Sequence, residues 1–211
     1  HASWHQTYHR TMTQMGLPEA IVPSMDFEQK RQLTSGAVTV TLKRIGDEFW
    51  VRTPDPDEEY RLLEKGIDAR KPPHVPRLVD RQVVLVTGSH TMQIFWLPSE
   101  TKDAPLRLFP WVYQIREERW MPYEDSFVVH PDLGRPAASW DNNCIACHTV
   151  NGEIELLKQP PDPRIKSTLA EYGISCEACH GPGREHVRKH QNPLARYQQH
   201  INPTRDRSIV N

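Results

Sequence analysis

One five-residue word occurs twice, and every cysteine in the chain belongs to it. Cys144-Ile-Ala-Cys147-His148 is repeated 32 positions later as Cys176-Glu-Ala-Cys179-His180. Two disulfides would leave the adjacent histidines without a purpose. A four-thiolate zinc ribbon sets about 15–20 residues between its cysteine pairs. Here residues 148–175 intervene, 28 in all, and His148 and His180 would again be idle. A thioredoxin-type redox pair normally occurs once, at a strand–helix junction. Covalent c-type haem uses every residue of the word except the two spacers. Each cysteine adds across one porphyrin vinyl group as a thioether. The two-residue gap sets the sulfurs about one helical turn apart. The histidine behind them ligates the iron. The sequence therefore predicts two covalently attached haem c groups on Cys144, Cys147, Cys176 and Cys179, with His148 and His180 as proximal ligands. Attachment needs reduced thiols and a dedicated machinery outside the cytoplasm. The expected location is periplasmic or extracellular.

The rest of the composition sets bounds. At 211 residues and 37% hydrophobic, the chain can bury a core in one large domain or two small ones. A net charge of −1 gives no electrostatic case for nucleic acid or an anionic membrane. No run of about 18 apolar residues occurs, so no transmembrane helix is expected. Nineteen prolines exceed the usual share of about 5% and predict many ordered turns and loops. The chain opens on His1 rather than methionine, which points to a processed or trimmed chain from which any signal peptide has gone.

Hydrophobic periodicity predicts an α+β chain in three sections. Residues 1–20 read as a short helix or two turns ending near Gly16, with Trp4, Tyr8 and Met12 on one face and His1, His5 and His9 beside it. Residues 21–136 read as an antiparallel sheet of about four to six strands. A hairpin spans 33–53, where Val38, Val40 and Leu42 alternate with polar residues before the turn at Gly46. A short helix is expected around 58–65. A second hairpin spans 82–97, a further strand 106–115, and an edge segment follows, limited by Pro122. Residues 137–211 are the dihaem section, helical and loop-rich, with short helices expected over 167–172, 183–190 and 194–200.

Each haem iron needs a second axial ligand unless it is left open for substrate, and eleven histidines are on offer. His186 follows His180 by six residues, after a Gly-Pro-Gly break that turns the chain away from the first porphyrin. It reads as a ligand to a neighbouring haem, against a solvated helix histidine as the alternative. His9, in TYHRTM, is balanced between ligand and surface residue. His90 sits at a hairpin tip and reads slightly more as a plain turn residue. His5, His74, His130, His190 and His200 read as surface or linker residues. Met12, Met15, Met92 and Met121 read as core filler. Paired carboxylates such as Glu58-Glu59 and Glu117-Glu118 read as solvated faces. Nothing resembles a nucleotide-binding glycine loop.

Taken in order, SWHQTYHRTMTQ, VVLVTGSHTMQIFW, ERWMPYEDSF, WDNNCIACHT and YGISCEACHGPGREHV resemble the multihaem c-type cytochrome module often found fused to tetratricopeptide repeats. That module is related to hydroxylamine-oxidoreductase-like and tetrathionate-reductase-like cytochromes. The resemblance implies His9, His90 and His186 as distal haem ligands. Members commonly carry a further haem word before the segment matching residues 4–9, and continue past the Ile-Val-Asn that ends this chain. The chain thus resembles a two-haem minimal version or a fragment of something longer. The expected function is electron relay through closely spaced bis-histidine haems, with redox partner proteins or further copies of the chain, up to a filament of subunits, as partners. The alternative is a multihaem oxidoreductase whose open iron acts on a small nitrogen or sulfur compound. No acid–base machinery of clear design is present, which favours an electron carrier over an enzyme.

Overall fold

A computed structural model describes residues 4–67, 74–101, 104–127, 138–156 and 165–202. His1 and His130 lie outside them. The chain enters through a 3-10 turn, Trp4–Gln6, a helical turn α1 (Tyr8–Thr11) and a strand β1 (Thr13–Met15). Helix α2 (Ser24–Glu28) leads into β2 (Gln32–Ser35), β3 (Val38–Ile45) and β4 (Glu48–Pro54). Helix α3 (Pro56–Glu64) precedes β5 (Leu78–Gln82), β6 (Leu85–Thr87), β7 (Met92–Leu97), β8 (Arg107–Gln114) and β9 (Arg119–Pro122). The remainder comprises α4 (Tyr123–Ser126), α5 (Trp140–Asn143), α6 (Ile145–His148), β10 (Thr149–Val150), β11 (Glu153–Leu156), β12 (Ile165–Thr168), β13 (Glu171–Tyr172), α7 (Cys176–His180), α8 (Arg184–Gln191) and α9 (Pro193–Ile201). The class is α+β, as the sequence predicts.

The expected single sheet is two. Strands β2-β3-β4-β5 form one antiparallel sheet, and β1-β6-β7-β8-β9 form another. The chain crosses between them at Val83 and Val84, directly after β5. Side-chain alternation places the five-stranded sheet in the middle of the molecule. Val86, Phe95, Leu97 and Phe109 face Leu42, Phe49 and Val51 of the other sheet, with Phe27 between. Leu85, Trp96 and Leu108 point the opposite way, onto Trp140 and Ile145. Burial on both faces explains why VVLV and IFWL read as continuous apolar runs rather than alternating ones.

Two local expectations fail for the same reason. The helix predicted to reach Gly16 stops at Thr11, because Thr13, Gln14 and Met15 pair with Thr87, Val86 and Leu85. That ladder covers the edge of β6, which would otherwise expose unpaired backbone groups. The helix predicted over 167–172 is extended instead. Ser167 and Thr168 pair with Ile154 and Glu153, and Tyr172 pairs with Thr149. The helices expected around 58–65, 183–190 and 194–200 are present as α3, α8 and α9. Pro122 does end an edge strand, opposite Trp111.

The methionines are not core filler. Met15 is exposed, and Met12, Met92 and Met121 are half-buried. Glu117 and Glu118 are solvated as expected, but Glu59 is buried on the inner side of α3. It lies within a charged layer that includes Asp57. Asp57 accepts hydrogen bonds from the Ser99 hydroxyl (2.6 Å), the Glu100 amide (2.8 Å) and Arg107 Nε (2.8 Å). Arg107 in turn lies over the Tyr60 ring at 3.9 Å.

Candidate haem-binding site

Each Cys-x-x-Cys-His word is one helical turn. In the first, the amides of Cys147 and His148 donate to the Cys144 carbonyl at 3.2 and 2.9 Å. In the second, the whole word is α7. Residues i, i+3 and i+4 of a helical turn share a face. Both sulfurs and the imidazole of each word therefore fall on one side. None of the four cysteines is joined in a disulfide; Cys147, Cys176 and Cys179 are exposed and Cys144 is half-buried. Among the described residues, no three His, Cys, Asp or Glu side chains are grouped to hold a bare metal ion. The donor sets suit a ligand attached at two sulfurs and one imidazole.

The first word is anchored through its spacer. Ile145 is 1% exposed and packs against Leu85, Trp96, Leu108 and Trp140. Burying such a side chain is worth roughly 1.5–3 kcal/mol, and it leaves Cys147 exposed while Cys144 stays half-buried against the same cluster. Asp141 fixes the approach. Its carboxylate accepts from the Leu106 amide at 2.9 Å and from the Ser167 hydroxyl. Trp140 stands edge-on between Trp96 (5.8 Å) and His148 (6.4 Å). Burial pushes the His148 imidazole below its usual pKa, toward the neutral form that ligates metals. Its Nδ1 is buried with no hydrogen-bond partner among the described residues. A buried imidazole nitrogen without a partner is costly unless the site is completed by another group. Burial, with Cys147 and Asp141 nearby, pushes the Cys144 thiol up to about 11.

The second word contains no buried residue. The spacer opposite Ile145 is Glu177, and its Oε1 accepts from the Gly183 amide at 2.6 Å. That bond braces the Gly-Pro-Gly turn, where Gly181 sits at φ +68°. No motif search based on haem ligands would single out Glu177. Its position six residues before Gly183 was the available signal.

A two-residue ladder brings the words together. Thr149 pairs with Tyr172 and Val150 with Glu171. Thr149 directly follows the first word, and Tyr172 lies four residues before Cys176. The N-terminal segment docks on the same ladder. The Ile174 amide donates to the His9 carbonyl at 2.8 Å, and Arg10 Nη1 donates to the Tyr172 carbonyl at 2.7 Å. Gly173, at φ +77°, lies so close that a Cβ would overlap the Arg10 carbonyl.

The candidate distal histidines fall in two places. His9 and His90 line one cleft of about 290 Å³ with Tyr8, Met12, Thr91 and Met92. His9 stacks on Trp4 at 5.8 Å, and His90 on Tyr8 at 3.9 Å. His90 Nε2 lies 3.0 Å from Arg116 Nη2. Arginine only donates, so His90 accepts there. His186 is elsewhere, on α8, with its ring 4.4 Å from that of His190. His5 and His200 are exposed, and His74 is half-buried near Glu58.

No family model matches the chain, and no curated protein matches it. Among solved structures, the chain is similar to the crystal structure of the outer cell wall cytochrome OcwA. The TM-score is 0.42 at 16% identity, over 94% of this chain and 34% of that one. The chain thus spans about a third of that protein's length. A likeness of this size carries no weight on its own, and the functional reading rests on the residues of the two words.

Proposed function

We propose that the chain is an extracytoplasmic c-type cytochrome that carries two covalent haems and relays electrons between them and to partners. The observation that carries this reading is the pair of Cys-x-x-Cys-His turns, each with sulfurs and imidazole on one face, joined by a single short ladder. Haem bound there supplies an iron that changes oxidation state by one electron. The chain's own part is to hold it. Cys144, Cys147, Cys176 and Cys179 attach the ring. His148 and His180 present proximal nitrogens, and His9, His90 and His186 are the distal candidates. The ladder keeps the two words at a fixed spacing, and Ile145 and Trp140 exclude water beside the first.

Relay is preferred over catalysis at an open iron because the histidines outnumber the proximal positions. The reading places the protein in the periplasm or outside the cell. Among the described residues no helix is long and apolar enough to cross a membrane. Denaturing mass spectrometry of native material tests the proposal. The expected result is the polypeptide plus two haem masses that survive acid–acetone extraction. Four titratable thiols, or bound zinc, would overturn it.

A further inference from the structure

The two C-terminal helices have no core of their own. Neither α8 nor α9 contains a buried residue. Leu194 is 74% exposed, Tyr197 62% and Ile201 55%. Helices of eight and nine residues are marginal in water and draw their stability from packing an apolar face. Local devices fix only where they begin. Glu177 holds Gly183 before α8, and the Asn192 side chain accepts from the Leu194 amide at 3.0 Å at the start of α9. The Asn192 cap is worth about 1 kcal/mol, too little to order a hairpin in which no residue is buried.

Of these three side chains, Tyr197 belongs to an organised face whose cleft Leu194 and Ile201 do not line. Pro193, Arg196, Tyr197 and His200 recur at i, i+3, i+4 and i+7, which is one helical face. With His190 and Gln191 of α8 they line a cleft of about 650 Å³. That volume lies within the roughly 300–1,000 Å³ of organic-ligand sites. Its chemistry is mixed in a specific way. The proline and tyrosine rings suit a flat apolar ligand, the guanidinium suits carboxylates on its edge, and the imidazoles suit a metal. A metalloporphyrin with propionates has all three. One is expected a few residues away, because α8 begins directly behind the second word and Glu177 of that word ties the two together.

We propose that the α8–α9 cleft seats the porphyrin carried by Cys176 and Cys179, and that the hairpin folds on it. This rests on the two-haem reading. Tyr197 and Pro193 pack against the ring, and Arg196 pairs with a propionate. The hairpin is then ordered only in protein whose second word is loaded.

Hydrogen exchange on three holo-proteins tests it: the wild type, Cys144→Ser/Cys147→Ser, and Cys176→Ser/Cys179→Ser. Amides of residues 184–201 are expected to exchange at least tenfold faster in the last alone, with β3 and β4 unchanged as internal reference. Equal protection without the second haem, or equal loss without the first, overturns the proposal. So does wild-type protection that falls on dilution, which would mean that a neighbouring copy's porphyrin fills the cleft. Wider misfolding of the double variant is covered by Tyr197→Ser in dihaem protein. One of the two haem potentials should shift there while the other holds, and two unmoved potentials overturn the proposal. A polypeptide of unadorned mass would sink the dihaem reading as well. Two haem masses with an indifferent hairpin sink this proposal alone.

Discussion

Asp57 shows how much of the fold rests on single side chains away from the haem words. It is a buried carboxylate that joins α3 to Ser99, Glu100 and Arg107. Burial alone would raise its pKa. Hydrogen bonds from Ser99, Arg107 and the Glu100 amide outweigh that and hold it below the usual carboxylate value. The unfolded chain therefore binds this proton more readily than the folded one. The resulting stability is present above the unfolded pKa of about 3.9 and is lost as pH falls through and below it. Asp57→Ala leaves Arg107 buried without its partner, which typically costs about 3–5 kcal/mol. Urea unfolding at pH 7 should show that loss, and the variant's stability should vary less than the wild type's below about pH 4. Equal stabilities at pH 7 would reduce the contact to a surface ion pair. The sequence placed Glu58 and Glu59 on a solvated face, because a run of charges reads as exposed. The neighbouring Asp57 is buried against Arg107, fifty positions away, which no local pattern can announce. The cysteines and their histidines are the opposite case. Their chemistry is complete within five consecutive residues and was legible without any structure.

At the scale of elements, legibility followed the range of the pairing. Strands β3, β4, β7 and β8 pair with neighbours in sequence and show either alternation, as in β3, or a short apolar run, as in β7 and β8, so all four were readable. Strand β1 is three residues long and pairs across some seventy positions with β6, so its sequence gave no sign of extension. The same holds for β13, whose partner is β10. These unreadable elements are the ones that assemble the site, since β13 joins the words and the N-terminal segment docks behind it. Gly173 is the tightest point of that junction. Gly173→Ala combines a left-handed backbone, which costs an L-residue about 1–2 kcal/mol, with an overlap on the Arg10 carbonyl. The N-terminal segment must move away, breaking the bond from Ile174 to His9. Dihaem protein with this change is expected to keep both covalent haems and to lose low-spin character at the iron that His9 serves, read by EPR. Unaltered spectra would mean that docking of the segment beside Gly173 has no bearing on any iron, and that His9 acts elsewhere or not at all.

At the scale of the whole molecule, the layers run from the four-stranded sheet through the central sheet to the haem section. One face of that section packs on the central sheet through Trp140 and Ile145, with Cys144 half-buried beside them, and Cys147, Cys176 and Cys179 are exposed. Haems attached through Cys147, Cys176 and Cys179 would lie at a boundary of the molecule, where exchange with another protein is direct. Three distal candidates compete for two proximal positions. Two of them, His9 and His90, share an exposed cleft on the N-terminal side, while His186 lies on α8. A histidine in excess is useful if it caps iron in the next copy. Ligation across an interface would fix the register of adjacent copies and bring their haems edge to edge. A contact between two different patches is heterologous, and it gives an open filament when its rotation does not close. A net charge of −1 sets little long-range repulsion against such stacking. Native protein is thus expected to run as assemblies larger than a monomer in size exclusion with light scattering, and to show rows in electron microscopy. His9→Ala or His90→Ala should release monomers in which one iron has turned high-spin. Wild-type monomers with both irons six-coordinate from within one chain would eliminate the filament and leave the electron relay standing.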